Sequence, residues 1–311
     1  MEKKELLRVD GLSISFRQYT RGLHQRDLPV IKDLSLTVRA GEMTAVAGSS
    51  GSGKSLLAHG ILGILPYNAS VSGKIYYEGK ELDDPLRSRI VGTEMVLVPQ
   101  SVSYLDPLMK VGEQVRNGKK SPSAIERCRS LLKRYGLGKE VEDQYPFELS
   151  GGMTRRVLIS TALMEMPKLV IADEPTPGLH LSAAKRVLGH FREIADQGAG
   201  VLLITHDLEL ALEVADRVAV FYAGTTVEEM PADHFKEEKL LLHPYSQALY
   251  RAMPEHGFSA LPGVQPYVTE RGPGCVFADR CPCAEEECKK AEIPVAETAG
   301  GWVKCLRKEL L

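Results

Sequence analysis

The segment Gly48-Ser49-Ser50-Gly51-Ser52-Gly53-Lys54-Ser55 has the residue types and spacing to cradle a phosphate chain. In the pattern G-x-x-x-x-G-K-S the glycines let backbone N–H groups turn inward around an anion, and the helix that follows adds its positive end. Lys54 is placed to reach the β- and γ-phosphates of ATP, and the Ser55 hydroxyl to hold Mg²⁺. Further on, Lys168-Leu-Val-Ile-Ala-Asp173-Glu174 is an apolar run that ends in two carboxylates. Asp173 suits the Mg²⁺ shell, and Glu174 suits a general base that polarises an attacking water. Leu149-Ser150-Gly151-Gly152-Met153 offers a second anion site, built from Ser150 and the amides after it at a helix start. One ATP does not need two such sites from one chain. Two chains facing head to tail do.

These residues need strand ends and helix starts to hold them. Met43 to Ala47, Met95 to Val98, Leu169 to Ala172, Val201 to Thr205 and Val218 to Tyr222 are short apolar runs that read as strands. Most are apolar throughout, which suits a mostly parallel sheet covered on both faces. Helical patterns lie between them at Ser55 to Leu65, Ala124 to Tyr135, Gly152 to Met164, Ser182 to Ala195 and Glu209 to Ala215. The expected fold class is α/β, with a helical insertion at about 104–165. After about residue 240 Pro, Gly and Cys become frequent and the periodic runs stop, so the reading divides the chain into 1–240 and 241–311.

Composition narrows the function. The 311 residues carry 39 Lys and Arg against 41 Asp and Glu, a formal charge of −2, which is no electrostatic footprint for nucleic acid. No run of about 18 apolar residues is present, so any membrane-spanning helices must come from another chain. The amino terminus lacks the apolar stretch of an export signal. Five of the six cysteines crowd the last 40 residues, and in a chain without that signal such a cluster reads first as metal-binding.

With the phosphate loop, the segment Leu149–Met153 resembles the signature of ABC ATPases, and the chain is identified as a member of the P-loop NTPases of ABC type. Gln100, closing the run Met95-Val-Leu-Val-Pro99, matches that family's Gln, which touches Mg²⁺ or water and begins the segment meeting the membrane subunit. His206, in Leu203-Ile-Thr-His206-Asp207, matches the His that contacts the γ-phosphate. Phe16 or Tyr19 offers a ring to stack on adenine, and a core aromatic is the competing reading at each. The stretches Gln100 to Gln114, Tyr145 to Met153, His243 to Leu249 and Gly274 to Pro282 resemble the ATPase subunits of oligopeptide, dipeptide and nickel transporters.

That resemblance implies an ATPase powering import of peptides, nickel or a metal chelate from the cytoplasmic face of the cell membrane. It implies two transmembrane permease subunits, a second and different ATPase subunit, and an extracytoplasmic substrate-binding protein. The alternatives are a non-transport ABC ATPase and a regulatory nucleotide-binding module. Two departures stand out. The family's Arg-Gln-Arg after the signature is Thr154-Arg155-Arg156, and the loop after Glu174 ends in His180 where most ABC ATPases have Asp. Cys275, Cys281, Cys288 and Cys305 match the four cysteines of the family's tail, and the resemblance implies a [4Fe–4S] cluster. Zinc and unmetallated thiols are the alternatives. The spacings are wider than the about two to four residues usual within zinc-binding pairs, although one residue separates Cys281 from a fifth cysteine, Cys283.

Overall fold

The structure, a computed structural model, describes residues 3–20, 22, 24–49 and 51–306. Its strands, in chain order, are β1 (Glu5–Tyr19), β2 (Gln25–Arg39), β3 (Met43–Ala47), β4 (Ala69–Tyr77), β5 (Lys80–Glu81), β6 (Met95–Val98), β7 (Leu169–Asp173), β8 (Gly200–Thr205), β9 (Arg217–Tyr222), β10 (Thr225–Pro231), β11 (Ala296–Thr298) and β12 (Gly301–Val303). They form two sheets. One is antiparallel in the order β2-β1-β4-β5, and the other runs β11-β12-β10-β9-β3-β8-β7-β6. In the second, β6, β7, β8, β3 and β9 are parallel, and β10, β12 and β11 extend it antiparallel.

The parallel strands read as unbroken apolar runs because both of their faces are covered. Along β7, Leu169 and Ile171 join the core shared with the antiparallel sheet and the helix Lys54–Leu62, while Val170 and Ala172 join the core on the helical side. The same alternation sends Val46, Leu202, Ile204 and Phe221 one way and Ala45, Val201, Leu203 and Val220 the other. The expected α/β architecture is therefore what the chain forms. The expected helical insertion appears as the helices Val111–Val115, Pro122–Arg134 and Gly151–Ala162 with short 3₁₀ turns. Ser121 caps the middle one, accepting from the Ala124 N–H at 3.2 Å, with Pro122 pre-set for the first turn.

The stretch after 240 returns to the main sheet through β12, which pairs with β10. Phe277, fully buried, packs edge-on against Tyr222 of β9 at 5.3 Å between ring centres. Arg217 of β9 holds Glu229 of β10 through Nε at 3.0 Å and Nη2 at 2.9 Å, and donates to the Gly300 carbonyl at 2.7 Å. The second Glu229 oxygen accepts from the Thr37 N–H of β2. One buried carboxylate thus ties the two sheets together.

Candidate functional site

β3 delivers the chain into the phosphate loop, and the helix Lys54–Leu62 leaves it. The turn depends on its glycines. A Cβ on Gly48 would lie 2.3 Å from the Phe221 carbonyl oxygen, and Gly53 caps the helix at φ 98°. Lys54 is buried and donates to the carbonyls of Gly48 at 2.9 Å and Ser49 at 2.8 Å. Burial lowers its pKa from the ordinary lysine value, with Glu174 and then Asp173 opposing. The Ser52 hydroxyl donates to the Ser49 carbonyl at 2.6 Å, and the Ser49 hydroxyl donates to Gln265 Oε1 at 2.7 Å. Ser50 lies outside the described residues.

Asp173 ends β7 and accepts from the Ser55 hydroxyl at 3.0 Å. Burial raises its pKa, and the Ser55 hydrogen bond pulls the other way. The two are hard oxygen donors at hydrogen-bond distance, a donor set that fits Mg²⁺. Glu174, the next residue, is buried and takes a left-handed backbone at φ 46°, a strained geometry for a residue with a Cβ. Its N–H donates to the Ile204 carbonyl at 2.9 Å, which fixes it to β8. Its Oε2 lies 2.7 Å from His206 Nδ1, and His206 is half exposed just past the end of β8. The structure thus gathers Lys54, Ser55, Asp173, Glu174 and His206 at the carboxyl ends of three adjacent parallel strands, where open α/β sheets bind ligands. Gln100 lies exposed two residues past β6.

The remaining candidates sit apart from that group. Ser150 is exposed at the start of the helix Gly151–Ala162, its Oγ accepting from the Met153 N–H at 3.4 Å, and Gly152 lies in the first turn. Phe16 is partly buried on β1, opposite Leu28 of β2, and packs on the core beneath the antiparallel sheet. His180 is exposed at the N-cap of the helix Leu181–Asp196 and makes no side-chain capping bond. In the tail, Cys275 lies 3.8 Å from the buried His243 Nε2. Burial pushes the Cys275 thiol up to about 11, and Cys305, Cys281 and Cys288 add to the shift. Among the described residues, however, no three His, Cys, Asp or Glu side chains form a ready metal-holding group.

Sequence reasoning missed Arg155. Its buried guanidinium donates to the Glu174 carbonyl at 3.1 Å and reaches the Pro99 carbonyl at 3.5 Å. One side chain thereby joins the signature helix to the two strand ends that bear Glu174 and Gln100. An Arg between Thr154 and Arg156 looks like a solvated charge, and only the fold reveals the carbonyls it meets. Gln265 was equally invisible, since its partner Ser49 lies far away in sequence.

Residues 31–177 match the family described as ABC transporter, and residues 227–288 match the oligopeptide/dipeptide transporter, C-terminal region. The dipeptide transport ATP-binding protein DppD of Escherichia coli K12 is 34% identical over 315 residues, covering 95% of this chain and 94% of its own. The oligopeptide transport ATP-binding protein OppD of Mycobacterium bovis is 35% identical over 329 residues, covering 98% of this chain and 52% of its own. Among solved structures, the dimeric MJ0796 cassette of a bacterial ABC transporter superposes with a TM-score of 0.63 at 25% identity, covering 73% of this chain and 99% of that one. The same cassette in a post-hydrolysis state bound to ADP and phosphate gives 0.62 over the same shares.

Proposed function

The chain belongs to the ATP-binding subunits of ABC transporters of the oligopeptide/dipeptide type, and from that premise we propose that it powers uptake of peptides by closing on ATP with a second ATPase subunit and reopening on hydrolysis. It is an ATPase of a transport system, and permease subunits and a substrate-binding protein complete that system. No helix among the described residues is long and apolar enough to cross a membrane, in keeping with a subunit peripheral to it, which we assign to the cytoplasmic face. The names of the relatives favour peptides over nickel or a metal chelate as cargo. Similarity along nearly the whole chain to transport subunits favours neither a non-transport ATPase nor a regulatory module.

The observation that carries the mechanism is the contact between Glu174 Oε2 and His206 Nδ1 at 2.7 Å, beside the Ser55–Asp173 pair. In this reading Gly48 to Ser55 wrap the triphosphate, with Lys54 turning from the loop carbonyls to the β- and γ-phosphates. Ser55, Asp173 and Gln100 would hold Mg²⁺, which neutralises charge on the phosphates. Glu174 takes the proton of the attacking water, and His206 holds the Glu174 carboxylate toward the γ-phosphate. Phe16 stacks on the adenine. Ser150 and Gly152 face the ATP held by the partner subunit, since their exposed helix start is free to meet a second chain. The dimeric form of the MJ0796 cassette supports that arrangement.

The apolar groove lined by Ile64, Leu97, Tyr104, Met109 and Leu158, next to Gln100, suits a cytoplasmic segment of the permease. We divide the chain into an ATPase domain, 1–240, and a C-terminal extension, 241–311, in which Cys275, Cys281, Cys288 and Cys305 would hold a [4Fe–4S] cluster. Soft donor chemistry supports the ligand set, and no step of hydrolysis passes through the cluster. The test of the ATP reading is nucleotide binding by the Lys54→Ala variant. Affinity for ATP is expected to fall at least about tenfold, as for loss of a charge-assisted contact. Unchanged affinity would overturn the assignment of the loop.

A further inference from the structure

The phosphate loop is gripped by a residue far outside it. The Ser49 hydroxyl donates to Gln265 Oε1 at 2.7 Å, while the Ser49 carbonyl accepts from Lys54 Nζ at 2.8 Å and Ser52 Oγ at 2.6 Å. Ser49 is thus held from both sides, from within the loop and from the C-terminal extension. The chain after Gln265 continues along the same face. Gln265 and Tyr267 join Leu28 and Val30 of β2 and Gly51 and Ser52 of the loop around a cleft of about 170 Å³. Leu28 is the register partner of Phe16, so the cleft lies between the phosphate loop and the strand pair proposed to carry the adenine.

The gripping segment is itself fixed at both ends. Arg280 donates to the carbonyls of Pro262 at 2.9 Å and Leu261 at 3.1 Å, and to the Tyr222 hydroxyl at 3.1 Å. Arg271 donates to the Ala223 carbonyl at 3.0 Å. Between these anchors Val268 lies over Gly224, where a Cβ would come within 2.7 Å of Val268 Cγ2. The same Cβ would lie 2.4 Å from the Val30 carbonyl oxygen, so Gly224 lets β2 and the segment approach together.

We propose that Gln265 is a positioning residue for nucleotide binding, and that the segment 265–269 forms the outer wall of the ATP site in the same chain. The proposal rests on the reading of Gly48 to Ser55 as the ATP loop. With Ser49 fixed, its backbone is set for the phosphates before ATP arrives, and affinity benefits from order already in place. The extension is then a working part of the nucleotide site.

The test uses the full chain in the assembled transporter, measuring KM and kcat for ATP hydrolysis and equilibrium binding of a non-hydrolysable ATP analogue. Gln265→Ala is expected to raise KM and the analogue Kd about 3- to 10-fold, the range of one lost hydrogen bond, with kcat within about twofold. Gln265→Met, which keeps the length of the side chain and removes the amide that accepts from Ser49, should give the same shift and serves if the alanine variant does not fold. Ser49→Ala should match it, and the double variant should be no worse than either single one. A merely structural role for Gln265 would lower thermal stability and active fraction at unchanged KM. Unchanged or tighter binding in the Gln265 variants, or additive losses in the double variant, would overturn the proposal. If the unaltered transporter fails to bind the analogue, it is the ATP reading that falls.

Discussion

Arg155 shows how much of this site depends on a residue that touches no substrate. Glu174 has a left-handed backbone, and such strain persists only where surrounding contacts over-determine it. The Arg155 guanidinium on the Glu174 carbonyl and the Ile204 carbonyl on the Glu174 N–H are those contacts. Burial lowers the Arg155 pKa, with Glu174 opposing, so its placement has an electrostatic cost that the hydrogen bonds offset. In Arg155→Ala the buried carbonyls lose their donor, at about 1–3 kcal/mol each. A small displacement of Glu174 should then cut turnover about 10- to 100-fold while ATP still binds. Steady-state rates beside analogue binding check this, and a variant of normal turnover would show that Glu174 is held without Arg155.

At the scale of elements, the helix Leu181–Asp196 begins at a poor cap. His180 has the extended N-cap backbone but no side-chain acceptor on the first turn, the place where Asp is favoured. His180→Asp should therefore stabilise the chain by about 0.5–2 kcal/mol, measured by urea unfolding. We also expect it to change the ATPase rate of the assembled transporter several-fold, because most ABC ATPases have Asp at this place and an imidazole does not reproduce a fixed carboxylate. A gain in stability with no change in rate, and equal turnover at both sites, would reduce His180 to a cap. What was legible in the sequence follows the same logic of local signals. β3 and β6 match the expected runs end for end, and β7, β8 and β9 differ by a residue at one end, since doubly covered strands announce themselves as apolar runs. The helix after the phosphate loop stops at Leu62, short of the expected Leu65, because Gly63 takes the left-handed cap. The reading assigns no strand before Met43, where β1 and β2 alternate and bulge. It also missed β10, whose Glu228 and Glu229 resemble surface residues until Arg217, Thr37, Leu242 and His243 are seen to meet them.

Across the whole molecule, the extension and the main sheet share a buried carboxylate. Glu228 accepts from the N–H groups of Leu242 and His243 at 2.8 and 2.9 Å, yet burial raises its pKa from 4.5 to about 6. A carboxyl raised on folding lends stability that is fully present below pH 4.5 and is lost as the pH rises through about 6. The effect amounts to about 2 kcal/mol. The stability of the wild type relative to Glu228→Gln should therefore decline across that window, read by denaturant unfolding at each pH, and a flat difference would contradict the assignment. At the same scale, we propose that the two carboxylates and the histidine gathered at adjacent strand ends carry the ATP hydrolysis that drives transport. The most direct test is the Glu174→Gln variant in the transporter reconstituted with its permeases and second ATPase subunit, with turnover and ATP binding measured on one preparation. Steady-state hydrolysis should fall about 10²- to 10⁴-fold with ATP binding intact, whereas turnover within about threefold of the wild type would show that Glu174 is not the base.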